Sequence, residues 1–444
     1  MTAIIQALAR WGAMKSGDLY ERVKDDFGSQ RSFERALADT PGLLRLGSRR
    51  FRAYALCRDG VESASIYVRN EAGEDHLLGS LVALAADQWA FEQVQEAKPW
   101  MQLGWLGQGE LPVYQGLPWF MDAFRPAGFL GRAWVRQHAE AQGWPLDVEA
   151  WTDEQIVTAA AQVPWDWRGN LSIGPAIDLP DQEVTLANRN AEYAIRADRA
   201  MEGAVIGASA EGEQPKFTAV VAEAETVRPV IVKFSGRIGG DAAARRWADV
   251  MVTEAIANQV MTLHGIAAAS TEVWIHDDRL FLETTRFDRV GARGRCGMVA
   301  LMPLARTFNY HGPQNGWVRA VAHLERLGVV DASQLQLTEH LATIGHLLLN
   351  NDMHMRNLSF LVGDGWPHAL TLSPVYDMTP MRWVPSAKTG LVPPLQEEPV
   401  IATDDIDAKL IAAEIWEDTA RHALVSDEWR SWAASRAEQV RRAL

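Results

Sequence analysis

The sequence has 444 residues, 48% of them hydrophobic, and a formal net charge of −14. The length predicts about two to four domains, and the composition excludes collagen-like, coiled-coil and fully disordered chains. Only two cysteines occur, Cys57 and Cys296, which excludes a disulfide framework. The sequence contains no run of about 18 uncharged apolar residues, so we predict no membrane span. We therefore expect a globular protein of the reducing cytoplasm, without membrane contact.

The charge is distributed unevenly along the chain. Residues 1–60 hold 11 lysines and arginines against 7 acidic residues, so they carry +4 and the remainder carries −18. This asymmetry predicts a small basic module attached to a large acidic body. We place the first domain boundary after residue 60.

Apolar spacing in the basic module predicts three short helices and a hairpin. Ser16 is predicted to cap the second helix, and Ser29 or Ser32 the third. Pro41-Gly42 ends the helical part. The following LLRLGSRRFRAYAL is predicted to be a hairpin with a two-residue turn at Gly47-Ser48.

Three helices and a hairpin resemble a winged helix-turn-helix, whose third helix enters the major groove while the wing touches the backbone. Residues 41–58 contain five arginines and no acidic residue, which suits phosphate contact. The alternative is a basic face on a protein-docking module. The predicted DNA-contacting residues are Gln30, Arg31, Arg35, Arg45, Arg49, Arg50 and Arg52.

The acidic body reads as mixed α/β and then mostly helical, so we predict an α+β fold. SIYVRN and HLLGSLVAL are predicted strands, and a helix is predicted over residues 153–162. TAVVAEAE and PVIVKFS are predicted to pair, and DVMVTEAIANQVMTLHG to form a long helix ended by Gly265. TEVWIHDDRLFLETTRF is a predicted hairpin turning at Asp277-Asp278, and the tail from about Asp404 an amphipathic helix. The predicted domain ranges are 61–180, 181–290 and 291–444.

Three segments in the middle of the chain suit phosphate binding. Small residues in GASAEGEQPKF, residues 207–217, allow a backbone to approach phosphates. Lys233 lies within the apolar strand VIVKFS, where a charge is costly unless it meets an anion or extends to solvent. Glu254, in the helix that follows, could pair with Lys233 or lie on the surface.

Two later segments suit the chemistry of phosphoryl transfer. LLLNNDMHMRNLSFL brackets Asp352 and Asn357 with apolar residues, at the five-residue spacing of a kinase catalytic loop. Asp377, in LSPVYDMTP, follows Asn357 by 20 residues, where kinases place a metal-binding aspartate. The alternatives are an Asx-capped turn for the loop and a turn-forming role for Asp377.

Taken together, the segments resemble HipA-like serine/threonine kinases, the toxins of type II toxin–antitoxin systems. The shared motifs are Ser-x-x-Gly-x-Gln-x-Lys, Arg-Phe-Asp-Arg, Asp-x-His-x-x-Asn and Tyr-Asp. Thr285 departs from the family, which has Glu before Arg-Phe-Asp-Arg, and this could alter contacts on the adenine side. The matching residues are Ser209, Gly212, Gln214, Lys216, Arg286, Phe287, Asp288, Arg289, Asp352, His354, Asn357, Tyr376 and Asp377.

The resemblance implies a two-lobed, protein-kinase-like fold and transfer of the ATP γ-phosphate to a protein hydroxyl with Mg²⁺. It implies that Asp352 acts as base or orients the hydroxyl, that Asn357 and Asp377 hold Mg²⁺, and that His354 supports the loop. It also implies autophosphorylation on Ser209, which would switch the enzyme off. The implied nucleotide-binding residues are Ser209, Gly212, Gln214, Lys216, Lys233 and Glu254.

The resemblance spans residues 61–440 and leaves the basic module outside it, which predicts DNA binding in cis. The predicted partners are a protein substrate, DNA and an antitoxin. The alternative function is a DNA-binding transcription regulator whose kinase-like body senses ATP or is inactive. A weaker alternative is a kinase that acts on a small molecule.

Overall fold

The described residues form several sheets and twelve α-helices, and the α+β class predicted from the sequence is confirmed. No helix within this described part is long and apolar enough to cross a membrane. The computed structural model describes residues 2–47, 52–94, 113–126, 128–162, 167–175, 183–202, 214–224, 226–314, 316–363, 370–386 and 389–444.

The N-terminal unit has three helices and a three-stranded sheet of order β1-β3-β2. Ser29 caps α3 by accepting from the Ser32 amide, as predicted, and Phe33 and Leu37 of that helix are buried. The elements are α1 Thr2–Trp11, β1 Met14–Lys15, α2 Ser16–Val23, α3 Gln30–Ala38, β2 Leu43–Leu46 and β3 Ala53–Leu56.

Two local predictions for this unit are wrong. Leu46 pairs with Ala53, so residues 47–52 connect the strands and the two-residue turn is not formed. This register buries Leu46 and Ala53 in one cluster with Leu84, whereas the shorter turn would place an arginine against that cluster. Ser16 is the first residue of α2 and does not cap it; Lys15 precedes the helix without a side-chain cap.

The next unit is a five-stranded antiparallel sheet of order β7-β6-β5-β4-β8 covered by two helices. A short 3-10 helix, Trp119–Phe124, packs Phe120, Met121 and Phe124 into its core. The elements are β4 Ala64–Arg69, β5 Asp75–Leu84, β6 Gln88–Gln93, β7 Val113–Gln115, α4 Gly128–His138, α5 Asp153–Gln162 and β8 Leu171–Ile173.

A second five-stranded sheet, of order β12-β13-β11-β10-β9, follows. Asp277 and Asp278 both adopt positive φ, 48° and 58°, as the tight turn between β12 and β13 requires. Gly265 follows α7 with a φ of 78°. The elements are β9 Glu183–Thr185, α6 Arg189–Met201, β10 Lys216–Glu223, β11 Thr226–Phe234, α7 Ala242–Leu263, β12 Thr271–His276 and β13 Arg279–Thr285.

The C-terminal part is largely helical, with a small sheet of order β16-β17-β18. Its core is continuous with the buried face of α7. The tail predicted as one helix forms two, Ile406–Arg421 and Asp427–Arg442. The elements are β14 Arg289–Val290, β15 Gly294–Arg295, β16 Gly297–Ala300, α8 Leu301–Thr307, α9 Trp317–Arg326, α10 Ala332–Leu347, β17 Ser359–Val362, β18 Leu370–Leu372, α11 Ile406–Arg421 and α12 Asp427–Arg442.

Candidate active site

Two lysines lie side by side at one end of the second sheet. The antiparallel register of β10 and β11 places Lys216 directly opposite Lys233, so their side chains share one face of the sheet. Both residues are buried, with exposed fractions of 2% and 8%. Two buried cations this close require anions nearby.

The anions come from α7 and from the segment after β18. Lys233 Nζ donates to both carboxylate oxygens of Glu254, at 2.7 and 2.8 Å, and it also contacts Asp377. The interpretation in which Lys233 extends to solvent is therefore wrong, and so is a surface position for Glu254, which is 2% exposed.

The charged cluster consists of Lys216, Lys233, Glu254 and Asp377, whose charges depend on one another. Burial alone would lower the pKa of Lys233, but the Asp377 and Glu254 carboxylates outweigh it and raise that pKa. Burial raises the pKa of Glu254 against the opposing effect of Lys233. Burial also acts to raise the pKa of Asp377, but Lys233 and Lys216 outweigh it and hold that pKa below its usual range. The cluster thus keeps its lysine charged.

The loop between α10 and β17 is organised by asparagine side chains. Asn350, 4% exposed, accepts from the Asp352 amide at 3.0 Å and donates to the Asp377 carbonyl at 3.2 Å. Asn357 Nδ2 donates to the Asp352 carbonyl at 2.9 Å. An Asx-type turn therefore does close this loop, and the same bonds bring Asp352, Asn357 and Asp377 together.

His354 supports the loop from within. Its Nδ1 accepts from the Arg356 amide at 3.2 Å, and its carbonyl accepts from Trp317 Nε1 at 2.8 Å and from the Asn357 amide at 2.9 Å. Because Nδ1 accepts, the neutral ring carries its proton on Nε2, which lies 3.9 Å from Asp352 Oδ1. His354 thus fixes the backbone around Asp352.

Asp377 is held by its neighbours in a left-handed conformation. Its φ is 53°, which is uncommon for aspartate. The preceding Tyr376 donates its hydroxyl to the Arg356 carbonyl at 3.0 Å and lies 2.7 Å from Ser359 Oγ. These bonds tie the Asp377 segment to the loop that carries Asp352.

The segment at residues 285–289 forms a buried ionic joint. Asp288 accepts from Arg286 at 3.0 Å, from Arg289 at 2.7 Å and from the Gly169 amide at 3.0 Å. Burial acts to raise the pKa of Asp288, but the two guanidinium groups outweigh it and hold that pKa far below its usual range. Thr285 instead accepts from Arg228 Nη1 at 3.2 Å. The joint fastens the end of β13 to residues 167–169.

The cluster and the loop line one cleft with two cavities that share lining residues. The first has Ile231, Phe287 and Met298 among its apolar walls. The second is bordered by Asp352 and His354. The two cavities share Lys216, Lys233, Arg356, Asn357 and Asp377.

Every predicted active-site residue that the structure describes thus lies in this one cleft. Gln214 also lies there, and its buried Nε2 has no hydrogen-bond partner among the described residues. Ser209 and Gly212 lie outside the described residues, as do Arg49 and Arg50. The structure describes five of the predicted DNA-contacting residues, and all five are exposed: Gln30, Arg31, Arg35, Arg45 and Arg52.

Sequence reasoning missed two contributors to the site. Asn350 had a visible signal, since it opens the polar stretch that follows α10. Asp122 had none: it pairs with Arg356 from 234 residues away in sequence, and no local motif surrounds it. Among the described residues, no group of three or more His, Cys, Asp or Glu side chains is placed to hold a metal ion by itself.

Comparison with known proteins identifies relatives along most of the chain. Residues 208–443 match the family described as the HipA-like C-terminal domain, and residues 61–178 match the YjjJ-like toxin, middle domain. The chain is 29% identical over 439 residues to Toxin YjjJ of Escherichia coli (strain K12), covering 93% of this chain and 92% of that protein. Its fold is similar to a chain of the toxin–antitoxin complex of HipA, HipB and operator DNA from Shewanella oneidensis MR-1, with a TM-score of 0.51 and 15% identity, covering 86% of this chain and 96% of that chain.

Proposed function

This chain belongs to the HipA-like family, and we propose that it is a toxin that transfers the γ-phosphate of ATP to a serine or threonine hydroxyl of a protein. One observation carries the proposal: the Lys233–Glu254 pair, the Asp352–Asn357 loop and Asp377 line a single cleft. Phosphoryl transfer depends on positioning and charge neutralisation, and these are what the cluster supplies.

The first cavity suits the nucleotide. Its apolar walls at Ile231, Phe287 and Met298 would receive the base. Lys233, held by Glu254, would bind the phosphates. Gln214 lines the cleft together with Lys216 and Lys233, and its buried amide Nε2 has no hydrogen-bond partner among the described residues. An anionic phosphate oxygen would accept a hydrogen bond from it.

The donor set also fits Mg²⁺. Asp377 and Asn357 supply a carboxylate and an amide, the hard oxygen ligands that this ion takes. Two protein ligands suffice, because Mg²⁺ in such sites is completed by substrate phosphates and water. When bound, the ion would neutralise phosphate charge that Lys216 and Lys233 cannot, since Glu254 and Asp377 already balance them.

In this proposal, Asp352 would receive the acceptor hydroxyl. It borders the second cavity and its side chain is 47% exposed, so a substrate can reach it. Its carboxylate would orient the hydroxyl and accept its proton as the O–P bond forms. Asn357 donates to the Asp352 carbonyl, and His354 accepts from the Arg356 and Asn357 amides, so the loop that carries Asp352 is held in place.

Purified protein incubated with ATP and Mg²⁺ is expected to become phosphorylated, with Ser209 as the proposed site. Mass spectrometry checks this beside Asp352→Asn, which keeps the size of the side chain but removes the proton acceptor. Asp418→Asn is the matched control, because Asp418 is similarly exposed, at 40%, and pairs with Arg421 on α11.

We expect phosphate on the wild type and on the control, and none on Asp352→Asn. Phosphate on all three would contradict the role of Asp352. Nucleotide binding without phosphate on any of them, with or without an added protein acceptor, would favour the alternative of an ATP-sensing regulator. Growth arrest on expression of the wild type, absent with Asp352→Asn, would support the toxin assignment, and co-expressed antitoxin is expected to relieve it.

For the N-terminal unit, we propose a winged helix-turn-helix that binds DNA, with domain ranges of 1–60, 61–180, 181–290 and 291–444. Helix α3 presents Arg31 and Arg35 to solvent, and Arg45 is exposed on β2. The unit carries +4 within an acidic protein. These features suit a recognition helix and a wing on DNA.

The full-length protein is expected to bind its own promoter DNA, with an affinity that falls as salt rises. Arg31→Ala/Arg35→Ala should weaken binding by about tenfold or more, at about 1–3 kcal/mol for each base-reading contact. The control is Arg136→Ala/Arg326→Ala, which removes two exposed arginines outside the N-terminal unit. Fluorescence anisotropy checks both, and equal affinity for all three proteins would contradict DNA binding through α3.

A further inference from the structure

We propose that Asp122, in the short helix Trp119–Phe124, is a positioning residue for the catalytic loop and acts through Arg356. The proposal rests on the proposed kinase function, since it assigns a residue of the first five-stranded sheet's unit to the chemistry of the cleft. Asp122 lies in no motif of the sequence, and its carboxylate pairs with Arg356.

The Asp122 backbone is anchored independently of the loop. Phe120, Met121 and Phe124 of the same short helix are buried, with exposed fractions of 3%, 1% and 0%. They pack into the core of the first five-stranded sheet. Core packing therefore holds the Asp122 backbone in place, and its carboxylate points at the loop.

The contact itself is a two-pronged ion pair. Asp122 Oδ1 accepts from Arg356 Nη2 at 2.9 Å, and Oδ2 accepts from Nη1 of the same guanidinium. A carboxylate that engages both prongs fixes the orientation of an arginine as well as its position. The two side chains are only 19% and 22% exposed, so solvent screens the pair incompletely.

Arg356 links this ion pair to the conformation of the loop. It lies between His354 and Asn357 in sequence, its amide donates to His354 Nδ1, and its carbonyl accepts from Tyr376. Its side chain also lines both cavities of the cleft. Without Asp122, the guanidinium would lose this two-pronged contact while the Asp377 carboxylate in the same cleft still attracts it, so the loop would be held less firmly.

A positioning role and a purely structural role predict different results. If Asp122 positions the loop, its removal should loosen residues 352–358 and slow the chemical step, while nucleotide binding stays unchanged. A purely structural role predicts instead that catalysis, nucleotide binding and unfolding midpoint fall together.

The variants are Asp122→Asn, Asp122→Glu and the matched control Asp75→Asn. Asp75 forms an equally two-pronged pair with Arg69, at 2.8 and 2.9 Å, and its side chain is also 19% exposed. It lies in the same unit as Asp122, and neither partner belongs to the loop. The control therefore reports the effect of losing such a pair without touching the catalytic residues.

The first readout is hydrogen exchange in the nucleotide-free, full-length protein. Peptides over residues 352–358 should exchange about tenfold faster in Asp122→Asn, and at the wild-type rate in Asp75→Asn. Asp122→Glu should restore most of the protection. Unchanged exchange in Asp122→Asn would overturn the proposal, whether or not the protein is a kinase.

The second readout separates kcat from nucleotide affinity. We expect Asp122→Asn to lower kcat by about 10- to 100-fold, the scale for a slightly misplaced group, with the Kd for a nonhydrolysable ATP analogue changed less than about twofold. Unchanged kcat would overturn the proposal, and so would a rise in Kd and a fall in unfolding midpoint that match the loss of kcat. If the wild type shows no turnover, the proposed function fails, and the exchange experiment still decides whether Asp122 holds the loop.

Discussion

Asp377→Asn is expected to abolish ATP turnover, lowering the rate by about 10³-fold or more, the scale for losing one preorganised charged group. The substitution removes a carboxylate oxygen proposed to hold Mg²⁺ and leaves a neutral amide of the same size. It also leaves Lys233 with one carboxylate instead of two, so the balance of charges that receives the nucleotide changes.

The fold should survive this change. Lys233 keeps both contacts to Glu254, and the Asn350 bond reaches the Asp377 carbonyl, which the substitution does not alter. The Asp377 side chain is 26% exposed, so the new amide can be hydrated. The unfolding midpoint is therefore expected to stay close to that of the wild type.

Three measurements check the prediction: ATP turnover, thermal unfolding and ADP binding with and without Mg²⁺. In the wild type, Mg²⁺ should tighten ADP binding, whereas in Asp377→Asn this gain should be lost. Asp418→Asn again serves as the control and should behave like the wild type in all three. Retained turnover in a folded Asp377→Asn protein would refute the assigned metal ligand.

Much of the site could be predicted because its residues sit in short, local patterns. The spacing of Asp352 and Asn357 follows from one loop, and Lys233 stands out because a charge interrupts an apolar strand. Even the approach of Lys216 to Lys233 follows from the predicted antiparallel pairing of their two strands. Once Glu223 lies opposite Thr226, the register places Lys216 opposite Lys233. These features depend on neighbours in sequence.

What could not be predicted depends on tertiary packing. The register of β2 and β3 is decided by the burial of Leu46 and Ala53 against Leu84, which belongs to another unit. The Asp122–Arg356 pair joins two hydrophobic cores that are built from parts of the chain far apart in sequence. The Arg-Phe-Asp-Arg segment could be recognised, but its contact with Gly169 could not.

That segment gives the prediction with the largest effect on stability. Asp288→Asn should lower the free energy of unfolding by about 3–5 kcal/mol, the cost of leaving a buried charge without its partner. Asp288, Arg286 and Arg289 have side chains only 7%, 3% and 8% exposed. Water therefore cannot replace the missing carboxylate, and two guanidinium groups lose their shared anion.

Denaturant unfolding compares Asp288→Asn with the control Asp277→Asn. Asp277 also pairs with an arginine, Arg237 at 3.0 Å, but their side chains are 48% and 50% exposed, and such pairs contribute little. The control midpoint should match the wild type while that of Asp288→Asn falls. Equal shifts in the two variants would show that burial of the joint does not matter.

The dependence on pH supplies an independent check of the same joint. The two arginines hold the pKa of Asp288 below its unfolded value despite burial, so its stabilisation is fully present above the unfolded pKa, about 4. It is lost as the pH falls from the unfolded pKa through the folded pKa, because over that range the unfolded state binds a proton that the folded state does not. Below about pH 4 the wild type should therefore lose stability more steeply than Asp288→Asn, which has no carboxylate to protonate. Parallel acid slopes would mean that the carboxylate of Asp288 is not the charge on which the joint depends.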